Sequence, residues 1–533
     1  MAELLPQFLD GSASSWISFA ILLGLANHLY FNRFEPKSAN GPLLALTVQP
    51  PLLLLILAVP LSLLRVLSAY IVFIFTLCSS IAIYRISPWH PLASIPGPIA
   101  YKITKLWSAW VCSGGHQHQV TKALHDKYGP FVRTGPNEVS IIHADAVKAV
   151  LGTGGFPKGQ YYEPRVDPTL QTRSLLSLRG EAHANRRRIW NRGLSSESLK
   201  EYETILAKRI TQLVDRLEGL PGPVDIAAWF SYFTFDFMGD MAFGGGFEML
   251  RDGGDRDGLW TIIEDGAKSI AVVAHIPWVA PTLYFIPMAT RGLLRLRRFG
   301  ATCAANRIKN GSQVKDLWYH LMDEAGMEKR KPTFQEVVAD VDSFVWFILH
   351  NPEIYRRVQA EIDAVYPDGE SLLDALKHDE LRFLTACLNE TMRLHPPVLT
   401  NGTRHVPRGG GRLIAGRFIP EDTHIYIPPY SLHRSEENFY PSPDKFDPDR
   451  WLREQSPDEV LNVAAFIPFS YGAGNCVGKP LAWREMLMVT STLLKKFDLR
   501  VVDGFESEKW LDNLQDAYVT SIDGPLLVEI SRR

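Results

Sequence analysis

Cysteine is scarce in this sequence, and the few cysteines present do not form a recognisable set. The 533 residues contain five of them, widely spaced and odd in number, which argues against a disulfide framework. The sequence has no Cys-x-x-Cys pair and no Cys/His cluster, so it offers no pattern typical of a structural zinc site. Any cysteine with a chemical role must therefore act singly.

The sequence also lacks a large excess of charge of either sign. The formal net charge is -2 at pH 7, whereas nucleic-acid-binding domains usually carry a strongly basic surface or stripe. We therefore expect no nucleic-acid partner. The sequence shows no internal repeat and no low-complexity tract, so neither a repeat architecture nor a long disordered region is indicated.

The N-terminal part, by contrast, is rich in long apolar runs. Three stretches contain no charged residue, namely 14–32, 38–64 and 66–84. Each is about long enough to cross a bilayer as a helix, which takes roughly 20 apolar residues. The second stretch is the weakest candidate, because Pro50, Pro51 and Pro60 interrupt it. We predict a membrane anchor of one to three spans over residues 1–89.

The flanking charges indicate how this anchor is oriented. No basic residue precedes the first apolar stretch, which fits a cleaved signal peptide poorly. With three spans, Arg33, Lys37 and Arg85 all fall on one side, and the positive-inside rule places that side in the cytosol. We therefore expect the remainder of the chain to face the cytosol from a membrane, which the endoplasmic reticulum would supply.

Two further regions follow the anchor. Residues 90–98, HPLASIPGP, contain closely spaced prolines and predict an extended, semi-rigid connector. Residues 99–533 form the predicted catalytic domain. Short strand signals such as FVRTGPNEVSII occur before residue 143, helical patterns dominate residues 143–400, and short strand-like runs return in residues 400–465. The predicted fold class is mainly α with a minor β part.

One cysteine lies in a setting suited to chemistry, the stretch FIPFSYGAGNCVGKPLAWREM at residues 466–486. Gly472, Gly474 and Gly478 allow the chain to fold tightly around Cys476. Pro480 is tolerated in the first turn of a helix that begins beside it. Backbone N–H groups and the helix dipole then favour a thiolate, which is a metal ligand. Because the loop holds no second ligand, the metal should bring its own coordination sphere, as haem iron does.

The spacing of Phe469, Gly472, Cys476 and Gly478 resembles the haem-binding loop of the cytochrome P450 superfamily, the haem-thiolate monooxygenases. The cysteine alone would rather indicate an inert buried thiol, and it is the surrounding pattern that favours a metal ligand. The resemblance covers residues from about 90 to 530. It implies a cytochrome P450 fold behind N-terminal transmembrane segments, a haem b cofactor, and Cys476 as the axial ligand of its iron. Where the family usually has a basic residue two positions before the cysteine, this chain has Gly474.

Two other segments match the family. Glu390 and Arg393 in LNETMRLHPP are three residues apart and can pair on one helix face. The resemblance implies that they form a buried network with Arg450 of FDPDRW, which supports the haem loop and must be fully paired. It further implies that the haem carboxylates are bound by His183 and Arg187 of GEAHANRRRIW and by Arg404 of TNGTRHVP.

One expected motif is missing. The family carries an acid–alcohol motif in a long central helix, which should lie between TFQEVVAD and HNPEIYRR. Here only VDSFVWFIL, residues 341–349, separates them, which is roughly fifteen residues or about 22 Å of helix too short. Asp342 and Ser343 are weak replacements, since they lie only about 12 Å of helix before the next segment. Three explanations stay open: coding sequence lost from the gene model, a variant that binds haem without activating oxygen, and non-oxidative or peroxide-driven chemistry.

The resemblance implies a reaction and a partner. The reaction is insertion of one oxygen atom from O2 into an apolar small molecule, with electrons from a separate NADPH-dependent flavoprotein reductase. The N-terminus, with NHLYFNRFEP, resembles fungal members that act on secondary metabolites such as terpenoids. The rival interpretation is a haem-binding membrane protein without monooxygenase activity.

Overall fold

The computed structural model of the chain describes residues 13–166, 173–256, 258–283, 286–311, 315–321, 352–517 and 519–533. Within these ranges helices predominate and short strands make up a minor part, which confirms the predicted fold class. The segment 341–349, with Asp342 and Ser343, lies outside the described residues.

Three apolar helices form the N-terminal unit: α1 (Ala13–Arg33), α2 (Asn40–Ile56) and α3 (Leu63–Ile86). Helices α1 and α2 both pack against α3, and they also contact each other. Large apolar side chains such as Leu22 and Phe75 lie exposed on the outside of this unit. Among the described residues, one helix, α3, has the length and apolar composition needed to cross a bilayer. The number of membrane spans stays a prediction.

The connector differs from its prediction. Residues 87–95 form a series of turns, with backbone hydrogen bonds from His90 to Ser87, from Ala93 to His90 and from Ile95 to Leu92. Only residues 96–98 lack turn structure. The extended conformation was expected from the prolines, but Leu92 and Ile95 are both buried, 1% exposed, in an apolar core. Burial of these two side chains draws the chain into turns.

The described helices after residue 98 are α4 (Ile99–Ile103), α5 (Lys105–Ser113), α6 (Gln117–Tyr128), α7 (Ala144–Leu151), α8 (Gly180–Gly193), α9 (Ser196–Glu218), α10 (Ile226–Phe243), α11 (Met249–Asp252), α12 (Leu259–Ala274), α13 (Ala280–Leu283), α14 (Pro287–Asn310), α15 (Leu317–Leu321), α16 (Pro352–Val365), α17 (Arg382–Leu394), α18 (Pro429–Leu432) and α19 (Lys479–Lys496).

The described strands are β1 (Phe131–Gly135), β2 (Glu138–Ile141), β3 (Val224–Asp225), β4 (Arg404–His405), β5 (Arg412–Ile414), β6 (Arg417–Ile419), β7 (His424–Tyr426), β8 (Phe439–Tyr440), β9 (Val460–Leu461), β10 (Phe497–Val501), β11 (Leu514–Ala517), β12 (Val519–Ile522) and β13 (Leu527–Arg532). The largest sheet has the order β1-β2-β7-β4, in which β2 and β7 are parallel and the other pairs antiparallel. A second sheet has the order β10-β13-β3, and the remaining described strands form three two-stranded antiparallel sheets, β5-β6, β8-β9 and β11-β12.

Two apolar cores position the cysteine loop. The first lies among α9, α10, α17 and α19, and it includes Leu481 and Met488 of α19. The second lies around β1, β2 and α7, and it includes Ile467. Ile467 is the last buried residue of the second core before the loop, and Leu481 is the first buried residue of the first core after it. The Cys476 loop therefore bridges two packed units, and both of its ends are anchored.

Candidate active site

Cys476 lies in a tight loop immediately before α19. Its backbone N–H donates to the carbonyl oxygen of Phe469 at 2.8 Å, and the N–H of Asn475 donates to the carbonyl oxygen of Gly472 at 3.1 Å. Helix α19 begins at Lys479, three residues after Cys476, with Pro480 in its first turn as predicted. The half-buried thiol is thus close in the chain to the positive end of the α19 dipole.

Gly472 is required where the loop meets α7. Its φ is +70°, a left-handed conformation that favours glycine. A Cβ atom at this position would lie 2.3 Å from the carbonyl oxygen of Leu151, the last residue of α7. Because backbone atoms on both sides cannot move freely, this contact fixes the distance between the cysteine loop and the second core.

Gly474, the position at which this chain departs from the family pattern, also lies close to another side chain. A Cβ atom on Gly474 would lie 3.0 Å from Nη2 of Arg404. The guanidinium group of Arg404 therefore occupies the space beside the loop into which a side chain at position 474 would begin to extend. Of the predicted site residues, Arg404 is one that the structure places directly against the cysteine loop.

Arg187 of α8 contacts the loop from another direction. Its Nη2 donates to Oδ1 of Asn475 at 2.7 Å, and its Nη1 donates to the carbonyl oxygen of the same residue. Its Nε donates to Oδ1 of Asn191, one turn further along α8, at 2.9 Å. Arg187 thus has a fixed orientation beside Cys476. The sequence reasoning did not single out Asn475, because only the folded loop brings it to α8.

Three positively charged side chains act electrostatically on His183, which lies one helical turn before Arg187 in α8. Burial, followed by the charges of Lys158, Arg187 and Arg404, lowers the pKa of His183 to about 4. The imidazole is therefore neutral at pH 7 and can donate one ring N–H. Lys158 was not predicted from the sequence; it is buried and forms an antiparallel bridge with Arg404. Three cations and a neutral donor form a setting suited to carboxylates.

Glu390 lies at the centre of a buried network. Its two carboxylate oxygens accept from Nε and Nη2 of Arg393, each at 2.9 Å, and Oε1 accepts from Nε of Arg450 at 2.9 Å. The backbone N–H of Asp447 and the indole Nε1 of Trp451 also donate to it, each at 3.0 Å. The structure thus brings together the three residues that the resemblance grouped, and it adds Trp451. Glu390 and Arg393 are both 0% exposed.

The resemblance seen in the cysteine loop and the Glu390 network extends over most of the chain. It matches the cytochrome P450 family over residues 96–296 and 341–521. The chain belongs to the cytochrome P450 family. The predicted resemblance is therefore confirmed, and this P450 is mostly helical as the family requires.

Named relatives of this P450 are fungal monooxygenases. It is 30% identical to the cytochrome P450 monooxygenase orf5 of Eupenicillium brefeldianum, over 89% of this chain and 97% of that protein. It is 29% identical to the tryprostatin B 6-hydroxylase of Aspergillus fumigatus, over 85% of this chain and 84% of that protein. It is 29% identical to the cytochrome P450 monooxygenase phqL of Penicillium fellutanum, over 100% of this chain and 97% of that protein. The protein is accordingly an oxidoreductase of the monooxygenase type.

The extent of the family match also bears on the shortened central segment of this P450. The match omits residues 297–340 and resumes at residue 341, the first residue of VDSFVWFIL. The sequence from residue 341 onward therefore belongs to the matched part, whereas TFQEVVAD, residues 333–340, falls in the omitted part. The residues themselves fall outside the described ranges, so the low-priority candidates Asp342 and Ser343 stay predictions.

Proposed function

We propose that the protein is a membrane-anchored haem-thiolate monooxygenase that holds haem b through Cys476. The observation that carries this proposal is the convergence of Arg187 and Arg404 on the two residues before Cys476, with His183 and Lys158 behind them. A thiol beside cations and N–H donors suits a ligand that combines a thiolate-binding metal with carboxylate groups. Haem b is such a ligand.

The residues of this chain have separate tasks in the proposal. Cys476 supplies the sulfur, and the N–H groups and dipole at the start of α19 favour its thiolate form. The carbonyl oxygen of Phe469 holds the backbone of Cys476, and Gly472 allows the close approach of the loop to α7. Gly478, at the start of α19, has an ordinary φ of -78°. When bound, haem-thiolate iron supplies the activation of O2 from which one oxygen atom enters a C–H bond.

The haem carboxylates are assigned to the cation cluster. Arg187 and Arg404 carry fixed positive charge, and Lys158 adds a third charge on the strand-like segment paired with Arg404. His183 is neutral, so it acts as a hydrogen-bond donor rather than a counter-ion. In this arrangement Arg404, over Gly474, takes the place of the basic residue that the family usually has two positions before the cysteine.

Membrane anchoring is part of the proposal and is supported by contacts between the N-terminal unit and the domain. The backbone N–H of Ala39 donates to the carbonyl oxygen of Trp278 at 2.8 Å. Oγ1 of Thr282 donates to Oδ1 of Asn40 at 2.6 Å. The loop between α1 and α2 thus lies on the same side as the domain, as three crossings require. We place that side in the cytosol, at the endoplasmic reticulum.

The proposed substrate is an apolar small molecule of fungal secondary metabolism, with terpenoids as the class suggested by the N-terminus. The named relatives support a role in such pathways. Electrons are proposed to come from a separate NADPH-dependent flavoprotein reductase, because P450 monooxygenases generally take electrons from a partner reductase. A second function, haem binding without monooxygenase activity, is favoured only by the missing acid–alcohol motif.

The absorbance spectrum of the full-length chain tests the proposal. We expect the reduced carbon monoxide complex to show the red-shifted band of thiolate-ligated haem, and Cys476→Ala to lose it. Cys303→Ala is the matched control, since Cys303 is also a half-buried thiol, and it should keep the band. A normal band in Cys476→Ala would overturn the ligand assignment. A band without turnover in the presence of reductase would favour the second function.

A further inference from the structure

His433 lies buried between the Glu390 network and the strand-like segment that leads to the cysteine loop. It is 0% exposed. Its Nε2 lies 2.9 Å from the backbone nitrogen of Ile467, and its Nδ1 lies 3.2 Å from the carbonyl oxygen of Arg393. The amide of Ile467 can only donate, so Nε2 is the acceptor and the ring proton is assigned to Nδ1. One imidazole therefore joins two separate parts of the chain.

Arg393 and His433 are tied together twice. The ring of His433 donates to the Arg393 carbonyl, and Nη1 of Arg393 donates back to the His433 carbonyl at 2.8 Å. The ring also packs on Phe466, with the ring centroids 5.4 Å apart. Burial and the Arg393 charge lower the pKa of His433 to about 3, which keeps the ring neutral at pH 7. The ring thus keeps one donor and one acceptor under working conditions.

Ile467 is linked to Cys476, the candidate metal ligand, through a short piece of backbone and one hydrogen bond. Ile467 precedes Phe469 by two residues, and the carbonyl oxygen of Phe469 accepts from the N–H of Cys476 at 2.8 Å. The path from Glu390 to Cys476 therefore runs through Arg393, His433 and Ile467 as a series of hydrogen bonds joined by short pieces of backbone.

We infer that His433 is a positioning residue, which holds the cysteine loop to the Glu390 network by accepting a hydrogen bond from Ile467 at Nε2. The inference rests on the proposed role of Cys476 as the axial ligand. The atom that matters is Nε2 of His433. Without this acceptor the loop is held less firmly, and thiolate ligation is lost faster. If His433 only filled volume in the core, the rate of losing thiolate ligation would not depend on which ring nitrogen a substitution retains.

Two substitutions separate the ring nitrogens. In His433→Gln the amide oxygen can take the place of Nε2 and accept from Ile467, while the bond to the Arg393 carbonyl is lost. In His433→Asn the amide nitrogen can take the place of Nδ1, but the side chain is too short to reach Ile467. His125→Gln is the matched control. His125 is equally buried, 3% exposed, and its ring nitrogens lie 2.9 Å from the Gly129 carbonyl and 2.7 Å from Oγ of Ser140.

The measurement is the rate at which the thiolate band of the reduced carbon monoxide complex disappears in the full-length haem protein at pH 7. We expect His433→Gln and His125→Gln to lose it at close to the wild-type rate. His433→Asn should lose it about tenfold faster, the factor that corresponds to one buried hydrogen bond. Equal rates for His433→Asn and His433→Gln, or a rate in His125→Gln as fast as in His433→Asn, would overturn the inference.

Hydrogen exchange at the Ile467 amide gives a second measurement if His433→Asn does not fold. Slow exchange is expected in the wild type and in His433→Gln, and fast exchange in either contradicts the inference. Failure of the underlying proposal has a different result, because the wild type would then lack the thiolate band or Cys476→Ala would retain it. The two ideas can therefore fail separately.

Discussion

Replacing Glu390 with glutamine should be one of the most destabilising single changes in the domain. Glu390 is fully buried and accepts hydrogen bonds from Arg393, Arg450, Trp451 and the backbone of Asp447. Glutamine keeps the volume but removes the negative charge, so two buried guanidinium groups lose their counter-ion. Removing one partner of a buried pair costs about 3–5 kcal/mol. We expect a loss of that size in the free energy of unfolding.

Urea unfolding of the detergent-solubilised full-length chain, followed by tryptophan fluorescence, measures this loss. Glu353→Gln is the control, since Glu353 has an arginine at the same three-residue spacing but is exposed on α16. Exposed pairs contribute about 0–1 kcal/mol. The reasoning about the network would be refuted by a cost below about 1 kcal/mol for Glu390→Gln, or by equal costs for the two variants.

Three further changes test two glycines of the loop and one buried histidine. Gly472→Ala should cost more than about 2 kcal/mol by thermal unfolding, because its φ is +70° and its Cβ would meet a backbone oxygen. Gly474→Ala should cost less than about 1 kcal/mol but speed haem loss to apomyoglobin several-fold, since only the end of the Arg404 side chain must move. Burial lowers the pKa of His125 to about 4 from 6.5, so its stabilising effect is complete above pH 6.5 and falls as the pH drops towards 4. Urea titrations of His125→Gln should therefore show a shallower acid loss of stability in that window, by up to roughly 3 kcal/mol; an unchanged slope contradicts the assignment.

Local features were predictable because their causes are local. The run FVRTGPNEVSII predicted short strands, and β1 and β2 pair antiparallel on either side of its Gly-Pro-Asn turn. The run SSESLKEYETILAKRITQLVDRL predicted a helix, and α9 follows Ser195, whose hydroxyl accepts from the N–H of Ser198 at 3.3 Å. Glycines were likewise predicted to let the chain fold tightly around Cys476, and Gly472 has the φ of +70° that favours glycine.

Other parts of the site depend on contacts between distant residues, and no local pattern reveals them. Lys158 joins the cation cluster only because β4 lies beside it in the fold. His433 has no motif of its own, and its role follows from partners in α17 and in the segment before the cysteine loop. The connector was wrongly predicted as extended, since proline spacing is visible in the sequence but the burial of Leu92 is not.

The hydrogen bonds between Ala39 and Trp278 and between Asn40 and Thr282 also affect how the protein should be prepared. A chain shortened to begin at the connector would be easier to dissolve, but the carbonyl oxygen of Trp278 and the hydroxyl of Thr282 would lose these partners. The segment 277–283 would then keep its contacts with α12, α14 and residues 160–165 but lose these two hydrogen bonds. Crystals or rate constants obtained from such a chain would describe an edge of the domain that is restrained differently from the same edge in the longer chain.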